Sequence, residues 1–521
     1  MLAKVWSSAV LGVDAYLVAV EVDIALGLPT FNTVGLPDVA VKESRDRVKA
    51  AIKNSGFEFP AKRITVNLAP ADIKKEGAAF DLPMAVGILA AQDLVLPDRL
   101  PKVAILGELS LDGSVRPVRG ALCMAVAAKE AGLEGVIVPA ENAAEAAVVE
   151  GLPVLGVESL LHTVALLNGE QSVAPTRIDL EATFAQSADY AVDFSDVRGQ
   201  EHAKRALEVA AAGGHNILLI GPPGSGKTML ARQLPTVLPN LSLEEAISTT
   251  KVHSICGLLP PRQALLATRP FRAPHHTISD AGLIGGGNSP RPGEVSLAHN
   301  GVLFLDELPE FRRTTLEVLR QPLEEGHVTV ARHRGVFRMP ARFQLVAAMN
   351  PCPCGRRGSL AGACSCTPGE VRSYLGRLSG PLLDRIDLHV PVPAVAFDEA
   401  AGPPGEATAS VRVRVKAARE RQIRRCGALG RPASNTALAP AALRRAVLPG
   451  SDGQRLLRHA VDRLGLSARG LDRLLRVART IADLNDSEEL SYQNLAEALS
   501  FRRCVGDTVG VEPLQHFGGL P

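Results

Sequence analysis

The chain has 521 residues, too many for one compact core, and a formal net charge of +2 that argues neither for nor against a nucleic-acid partner. Its hydrophobic fraction of 46% is ordinary for a globular protein, and no apolar run approaches the roughly 20 residues of a membrane span. Residues 1–10 lack the pattern of a secretory signal, so we expect a cytoplasmic protein without membrane contact.

Residues 1–170 are predicted to form an α/β domain, because strand-like and helix-like segments alternate along them. Segments rich in β-branched residues predict strands, whereas charged segments with helical periodicity predict helices. The predicted strands span 15–24, 63–68, 103–106 and 135–138, and the predicted helices span 39–54 and 121–131. The polar stretch 171–190, which contains Pro175, predicts a linker.

A second α/β unit is predicted at 191–398, with apolar strands at 216–220, 302–305 and 344–349. A stretch rich in glycine, proline and alanine follows this unit. Leucine and valine then recur at spacings of three and four, which predicts a helical domain at 409–505. The last residues, 506–521, are predicted to form a tail.

A phosphate-binding loop follows the strand at 216–220. Its pattern is Gly-x-x-x-x-Gly-Lys-Thr, and a strand before it with a helix after it is the context in which this motif binds nucleotides. The glycines let N–H groups approach phosphates, Lys227 would reach the β- and γ-phosphates, and Thr228 would hold Mg²⁺. The residues predicted to bind ATP are Gly221, Pro222, Pro223, Gly224, Ser225, Gly226, Lys227 and Thr228.

Polar residues end the next two strands, at the edge where open α/β sheets bind ligands. Asp306 is predicted to support Mg²⁺ at the nucleotide site, and Glu307 to act on the attacking water as base or orienter. Asn350 would position water beside the γ-phosphate. Taken alone, Arg385 is typical of a surface ion pair, and the arginine-rich stretch 411–480 is typical of a solvated helical surface.

Four of the eight cysteines, Cys352, Cys354, Cys364 and Cys366, lie in one short segment. In a cytoplasmic chain such clustering indicates a metal site rather than a disulfide framework. Two Cys-x-Cys pairs can supply four thiolates, so we predict a tetrahedral structural Zn²⁺ site. An iron–sulfur cluster and free thiols are the alternatives.

Two further segments exceed what ATP hydrolysis requires. The first contains His275 and His276, for which a loop role is favoured over metal binding because adjacent histidines rarely face one ion. The second is predicted to be a β-hairpin that carries Arg332, Arg334 and Arg338. On their own, both segments are typical of ordinary surface loops.

Residues 192–503 resemble an AAA+ ATPase of the magnesium-chelatase-like branch, on the strength of the P-loop, Asp306-Glu307, Asn350, the Leu-Leu-Asp-Arg-Ile-Asp segment and Ser-Ala-Arg at 467–469. The resemblance implies that Asn350 is sensor 1 and that Arg385 is a finger reaching a neighbour's ATP. It also implies that Arg469 is sensor 2, with Arg473 one helical turn later as the alternative. ATP would then lie between subunits of a homo-oligomeric ring, expected to be a hexamer.

The same resemblance assigns the two extra segments to inserts that line the pore of the ring. They would be a helix-2 insert and a hairpin before sensor 1. Arginines on pore loops suit a phosphate backbone, so Arg332, Arg334 and Arg338 are expected to contact branched or single-stranded DNA.

The N-terminal domain resembles the Lon-protease domain, an α+β fold shared with domain 2 of ribosomal protein S5. The matching runs span 75–81 and 106–118. Proteases of that type need a serine nucleophile and a lysine base, but Ala79 stands at the serine position and the nearest lysine to 122–124 is Lys129. The resemblance therefore implies a protease-inactive domain with a role in assembly or in guiding DNA.

Over nearly the whole chain, the order of parts resembles the magnesium-chelatase-like competence protein family of the ComM/YifB type. This resemblance implies an ATP-dependent hexameric DNA translocase or helicase that promotes branch migration in natural transformation or recombination. The alternatives are a magnesium-chelatase-type motor subunit that drives metal insertion, or another AAA+ remodelling factor such as an unfoldase. The extra N-terminal domain and the cysteines fit the chelatase role poorly, and Ala79 argues against a protease.

Overall fold

A computed structural model describes residues 2–75, 77–186, 190–287, 290–332, 335–357, 363–426, 434–439, 442–444, 447, 450–464 and 467–502. The predicted tail, 506–521, and Arg334 of the predicted hairpin lie outside the described residues. The described chain forms an N-terminal α/β unit, a P-loop unit with a parallel sheet, and a C-terminal helical unit. The predicted fold class is therefore confirmed.

The N-terminal unit is built on one mixed sheet. Its strands are β1 (Leu2–Leu11), β2 (Asp14–Ala25), β3 (Thr30–Val34), β4 (Arg63–Ala69), β5 (Val103–Ile105), β6 (Glu108–Leu109), β7 (Val115–Arg116), β8 (Gly135–Pro139) and β9 (Val154–Val157). Its helices are α1 (Val39–Asn54), α2 (Asp81–Ala90), α3 (Ala121–Glu130), α4 (Ala143–Ala146), α5 (Leu160–Leu167) and α6 (Leu180–Gln186). Among these strands, the main sheet has the order β3-β4-β2-β1-β5-β8-β9.

The P-loop unit is built on a parallel sheet. Its strands are β10 (Ile217–Ile220), β11 (Phe271–Arg272), β12 (Gly285–Gly286), β13 (Arg291–Pro292), β14 (Val302–Leu305), β15 (His327–Arg332), β16 (Gly335–Pro340), β17 (Gln344–Met349) and β18 (Leu388–Pro391). The sheet order is β11-β14-β17-β10-β18, with all neighbours parallel, and β15 pairs with β16 as the predicted hairpin.

Helices cover both faces of this sheet. The helices of the P-loop unit are α7 (Glu201–Gly213), α8 (Lys227–Val237), α9 (Leu243–Ile255), α10 (Asp280–Ile284), α11 (Glu294–Leu297), α12 (Arg313–Glu317), α13 (Arg320–Glu325), α14 (Pro368–Leu375), α15 (Gly380–Leu383) and α16 (Phe397–Ala400). Ile217 and Leu219 of β10 belong to one buried cluster, whereas Leu218 and Ile220 belong to another. A strand buried on both faces must be apolar at every position, which is why β10 was recognisable in the sequence.

The C-terminal unit contains α17 (Thr408–Cys426), α18 (Ser451–Leu464), α19 (Ala468–Leu484) and α20 (Tyr492–Ser500). Val411 and Val415 of α17, together with Leu474 and Ile481 of α19, belong to the same buried cluster as helix α7 of the P-loop unit. The helical unit therefore extends the core on one face of the parallel sheet.

The arginines of α17 correct the expectation of a solvated surface. Arg412 donates to the carbonyl oxygen of Thr236 at 2.8 Å, and Arg419 donates to that of Ala211 at 2.9 Å. Arg414 lies 2.5 Å from a carboxylate oxygen of α7. The prediction was wrong for these residues because their side chains reach helix termini and acids of the P-loop unit, contacts that the periodicity of one helix cannot indicate.

The N-terminal and P-loop units contact each other through α3 and α9. Leu122 of α3 and Ala246 of α9 lie in one buried cluster. The buried carboxylate of Glu145 accepts the N–H of Leu122 at 2.9 Å and the hydroxyl of Ser254 in α9. Burial raises the pKa of Glu145. A satisfied carboxyl group thus ties the two units together.

The segment predicted as a linker, 171–190, includes α6. Leu180 and Phe184 of this helix pack against the cluster shared by α3 and α9, so α6 lies on the surface of the junction. No helix within the described part of the chain combines the length and the apolar character needed to cross a lipid bilayer.

Candidate functional site

The P-loop lies at the carboxyl edge of the parallel sheet, directly after β10 and between the ends of β17 and β18. Helix α8 begins at Lys227, immediately after Gly226, whose φ of 88° lies in the left-handed region that favours glycine. The unpaired N–H groups and the dipole at the start of a helix attract anions. The local sequence therefore builds a phosphate-binding turn.

Lys227 connects the P-loop to Asn350. Its Nζ donates to the carbonyl oxygens of Gly221 and Pro222, both at 2.8 Å, and to Oδ1 of Asn350 at 3.3 Å. The side chain is only 8% exposed. Burial lowers the pKa of Lys227, and the two acids that follow β14 act in the opposite direction. The structure thus brings together two residues that the sequence predicts to act on the γ-phosphate.

Thr228 and Asp306 form the predicted Mg²⁺ pair. The Thr228 hydroxyl donates to Oδ2 of Asp306 at 2.9 Å, and the other carboxylate oxygen accepts the N–H of Glu307 at 2.9 Å. Hydroxyl and carboxylate oxygens are the ligands that Mg²⁺ prefers, so these residues fit the ion. The hydrogen bond between Thr228 and Asp306 therefore brings the start of α8 and the end of β14 to one site.

Glu307 contacts a residue for which the sequence suggested only a loop role. Its Oε2 lies 3.3 Å from Nδ1 of His276, and its backbone φ of 53° is left-handed. The ring of His276 also packs edge-on to Phe311, with centroids 6.3 Å apart. The cavity beside Glu307 is lined by Thr228, Arg232, Phe271, His275, His276 and Asp306.

The signal that could have revealed His276 is its position just after β11. In the sheet, β11 lies beside β14, and parallel neighbours end at the same edge. The sequence places His276 four residues after Arg272 but gives no strand order, so the contact with Glu307 was not predictable from spacing alone.

Arg385 lies at the opposite edge of the sheet from the P-loop of its own chain. Its carbonyl oxygen accepts from Nδ2 of Asn216 at 2.9 Å, and Asn216 directly precedes β10, whereas the P-loop follows the end of that strand. The guanidinium pairs with Glu324 and donates to the carbonyl oxygen of Pro381 at 2.5 Å. The ion pair expected for an isolated arginine is present.

Of the two sensor 2 candidates, only Arg473 has a described contact that fixes its place relative to the parallel sheet. Arg469 is exposed in the first turn of α19. Arg473 is mostly buried, and its Nε lies 3.8 Å from Oδ1 of Asp387 at the amino end of β18. Burial lowers the pKa of Arg473. The assignment of sensor 2 between these arginines stays a prediction.

The four clustered cysteines converge on one point. The Sγ atoms of Cys352 and Cys354 are 3.4 Å apart, each is 3.6 Å from Sγ of Cys364, and Cys366 joins them so that all four lie within 4.8 Å of one another. Thiolates bound tetrahedrally to one Zn²⁺ are about 3.8 Å apart, given Zn–S bonds of about 2.3 Å. The donor set therefore fits a single zinc ion better than an iron–sulfur cluster, whose thiolates bind different iron atoms.

The hairpin β15–β16 carries the arginines predicted to contact DNA. Arg338 is exposed, and its Nη2 lies 3.0 Å from Nδ1 of His327. Arg332 is the last residue of β15, but its side chain and the whole of Arg334 lie outside what the structure describes. In the half of the hairpin nearer its turn, Phe337 of β16 pairs with Val330 and faces Gly12 in the turn between β1 and β2.

The Lon-like resemblance predicts that Ala79 stands at the position of the nucleophile. Ala79 is buried and its carbonyl oxygen accepts the N–H of Gly107 at 3.1 Å. The Nζ of Lys129 donates to the carbonyl oxygen of Glu150 at 2.6 Å. The acid of the matching run, Asp81, is buried and paired with Arg47 at 2.7 Å, which is a structural contact.

Comparison with protein families gives three matches that together follow the chain from the N-terminal unit to the helical unit. The family described as "Magnesium chelatase, subunit ChlI" matches residues 193–400. "Subunit ChlI of Mg-chelatase" matches residues 20–142, and "Magnesium chelatase, subunit ChlI C-terminal" matches residues 405–502.

Individual proteins match over almost the full length. The chain is 46% identical to the uncharacterized protein YifB of Escherichia coli over 503 residues, which cover 96% of this chain and 97% of that protein. It is 45% identical to competence protein ComM of Haemophilus influenzae over 512 residues, which cover 97% and 98% respectively. A shorter match, 31% identical over 189 residues, is to Lon protease 2 of Bacillus subtilis and covers 31% of this chain and 33% of that protein.

Proposed function

Because the chain belongs to the magnesium-chelatase-type AAA+ ATPase family that also contains the YifB and ComM proteins, we propose that it is an ATP-driven hexameric DNA translocase that promotes branch migration. The family resemblance that the motifs indicated is thereby confirmed, and membership implies ATPase activity. The DNA substrate, the hexamer, the helicase activity and a cytoplasmic location belong to the proposal.

In the proposed reaction, the P-loop binds the phosphates of ATP and Lys227 contacts the β- and γ-phosphates. Thr228 and Asp306 would hold Mg²⁺, which when bound neutralises phosphate charge. Glu307 orients the attacking water or removes its proton, and Asn350 fixes that water beside the γ-phosphate. Support comes from the contacts Lys227–Asn350 and Thr228–Asp306, because they gather all these groups at one edge of the sheet.

Completion of the site requires a second copy of the chain. The need for a neighbouring subunit is supported by the position of Arg385 at the amino edge of the sheet, beside Asn216. The P-loop of the same chain occupies the carboxyl edge. In a head-to-tail ring these two edges of neighbouring subunits face each other. Arg385 then exchanges Glu324 for the γ-phosphate of the neighbour, and Arg469 or Arg473 acts from the same edge.

DNA is proposed to contact the hairpin β15–β16 in the pore of the ring. A two-stranded ribbon with several arginines offers guanidinium groups to a phosphate backbone, and such contacts release counterions. The four cysteines are proposed to hold a structural Zn²⁺ next to the nucleotide site. The N-terminal unit is proposed to be protease-inactive, because Ala79 has no hydroxyl group to act as a nucleophile.

The deciding experiment measures ATP hydrolysis with forked or four-way DNA, with a porphyrin plus Mg²⁺, and with an unfolded protein. The proposal expects stimulation by DNA only. Stimulation by the porphyrin would instead support a metal-insertion motor, an alternative favoured by the family descriptions that name magnesium chelatase. Stimulation by the unfolded protein would indicate a remodelling factor, and no response to any DNA structure would refute the translocase.

A variant tests the hairpin directly. Arg332, Arg334 and Arg338 are changed together to alanine, and a control changes the exposed arginines Arg45, Arg63 and Arg455. The hairpin variant should bind DNA more weakly and with a salt dependence reduced by up to about three charges, while its basal ATPase is unchanged. Equal losses in the two variants would show a general charge effect instead of a hairpin contact.

A further inference from the structure

The first Cys-x-Cys turn of the cysteine cluster touches the P-loop. Gly355, which directly follows Cys354, has a φ of 75° and its N–H donates to the carbonyl oxygen of Cys352 at 2.9 Å. A Cβ atom on Gly355 would lie 2.6 Å from Cδ and 2.8 Å from Cγ of Pro223. The backbone of this turn therefore packs directly against the second proline of the P-loop, and only glycine leaves room for that contact.

A second contact joins the same segment to the nucleotide site. The chain enters the cluster from β17 through Asn350, whose side chain accepts from Lys227. One residue earlier, the carbonyl oxygen of Met349 accepts the N–H of Gly221 at 3.1 Å. The six residues Asn350 to Gly355 thus meet the P-loop at both ends, and Cys352 and Cys354 lie between the two contacts.

We propose that a metal ion held by the four cysteines fixes the P-loop and Asn350 in the arrangement that binds nucleotide, so that loss of the metal weakens ATP binding. This inference rests on the zinc site of the proposed function. Four metal–thiolate bonds would tie the turn at 352–355 to Cys364 and Cys366, and a metal site contributes folding free energy to the segments it joins. Because Gly355 packs against Pro223 and Asn350 accepts from Lys227, fixing the turn at 352–355 also restricts the position of the P-loop.

The first test removes the metal without altering the turn that touches the P-loop. Cys364→Ser and Cys366→Ser are combined, metal content is measured by elemental analysis, and affinity for a fluorescent ATP analogue is measured without DNA. The wild-type chain should carry one zinc ion and the variant none, with nucleotide affinity reduced by about tenfold or more, since small displacements around a bound ligand have effects of this size. A metal-free variant that folds and binds the analogue with wild-type affinity would overturn the proposal, as would a wild-type chain that takes up no metal.

The second test breaks the contact and keeps the metal. Gly355→Ala retains all four thiolates but places a methyl group against Pro223. It should bind one zinc ion and lose nucleotide affinity. Gly169→Ala is the matched control, because Gly169 has a similar φ of 76° and no atom lies within 4 Å of the position that its added methyl group would occupy. Equal nucleotide affinity in the two variants would contradict the contact, and because no DNA is present the result is independent of the translocase proposal.

Discussion

At the scale of single residues, the contact between His276 and Glu307 leads to a prediction about ATP hydrolysis. The carboxylate of Glu307 is more than half exposed, and among the described contacts its Oε2 lies 3.3 Å from Nδ1 of His276. A carboxylate that must act on one water molecule loses efficiency when it samples several rotamers. In the proposed site we therefore expect His276 to act as a positioning residue that restricts Glu307.

Replacement of His276 by alanine should lower kcat for ATP hydrolysis by about tenfold, a part of the roughly 10²–10⁴-fold that a positioned base supplies. Nucleotide affinity should stay within about twofold, because none of the hydrogen bonds described for Lys227 and Thr228 involves His276. Steady-state hydrolysis and binding of a fluorescent ATP analogue separate the two quantities.

His275→Ala is the control for this prediction. His275 lines the same cavity, but its Nδ1 contacts the hydroxyl of Thr277 at 2.9 Å, within its own loop. The rings of the two histidines lie with their centroids 4.1 Å apart, so a similar loss of kcat in both variants would indicate that the pair acts as a unit and that His276 has no individual role.

At the scale of secondary-structure elements, His299 joins α9 to the segment that enters β17. Its Nε2 lies 3.1 Å from the Ser248 hydroxyl, and its Nδ1 accepts the N–H of Arg342 at 3.0 Å. Burial, and then the charge of Arg342, lower the pKa of His299 to about 4. The folded protein therefore holds a neutral imidazole at a junction between two elements.

This shift predicts a loss of stability in acid. The pKa of His299 is 6.5 when unfolded and about 4 when folded, so the unfolded chain takes up the proton first as the pH falls. The free energy of unfolding should decrease from pH 6.5 downwards and reach a total loss of about 3 kcal/mol below the folded pKa. Urea unfolding across this window measures the slope.

His299→Asn supplies the comparison, since its amide oxygen can accept the N–H of Arg342 but does not titrate. Carboxylates contribute equally to both proteins, so only the difference between the two pH profiles reports on His299. Parallel profiles would mean that the imidazole becomes protonated without cost in the folded state.

The elements also show what the sequence could and could not predict. Strands β10, β14 and β17 were recognisable because each is buried on both faces and hence apolar, except for Gln344 at the start of β17. The P-loop was recognisable because it is a local pattern whose neighbours in sequence are its neighbours in space. Contacts such as His276–Glu307 and Gly355–Pro223 join segments whose proximity depends on strand order. No periodicity within one segment carries that information.

At the scale of the whole molecule, the three units are joined by direct packing and hydrogen-bond contacts. Helix α3 shares a core with α9, the hairpin β15–β16 touches the β1–β2 turn at Gly12, and α17 is tied to the P-loop unit by its arginines. A displacement of the P-loop unit would therefore also move the N-terminal unit and the helical unit, because both pack against it. The proposed ring adds the contact that a single chain lacks.

Mixing two inactive variants tests that contact. Lys227→Ala removes the P-loop lysine and keeps Arg385, whereas Arg385→Ala keeps the P-loop, and each alone should hydrolyse ATP at least about 10³-fold more slowly than wild type. In mixed rings, about a quarter of the interfaces pair an intact P-loop with an intact arginine from the neighbouring subunit. Activity should therefore appear on mixing. It should be absent when Lys227→Ala is mixed with a chain that carries both changes, because no interface then has both groups. If native mass measurements show mixed rings that remain inactive, Arg385 does not complete its neighbour's site, and its pairing with Glu324 is then its whole role.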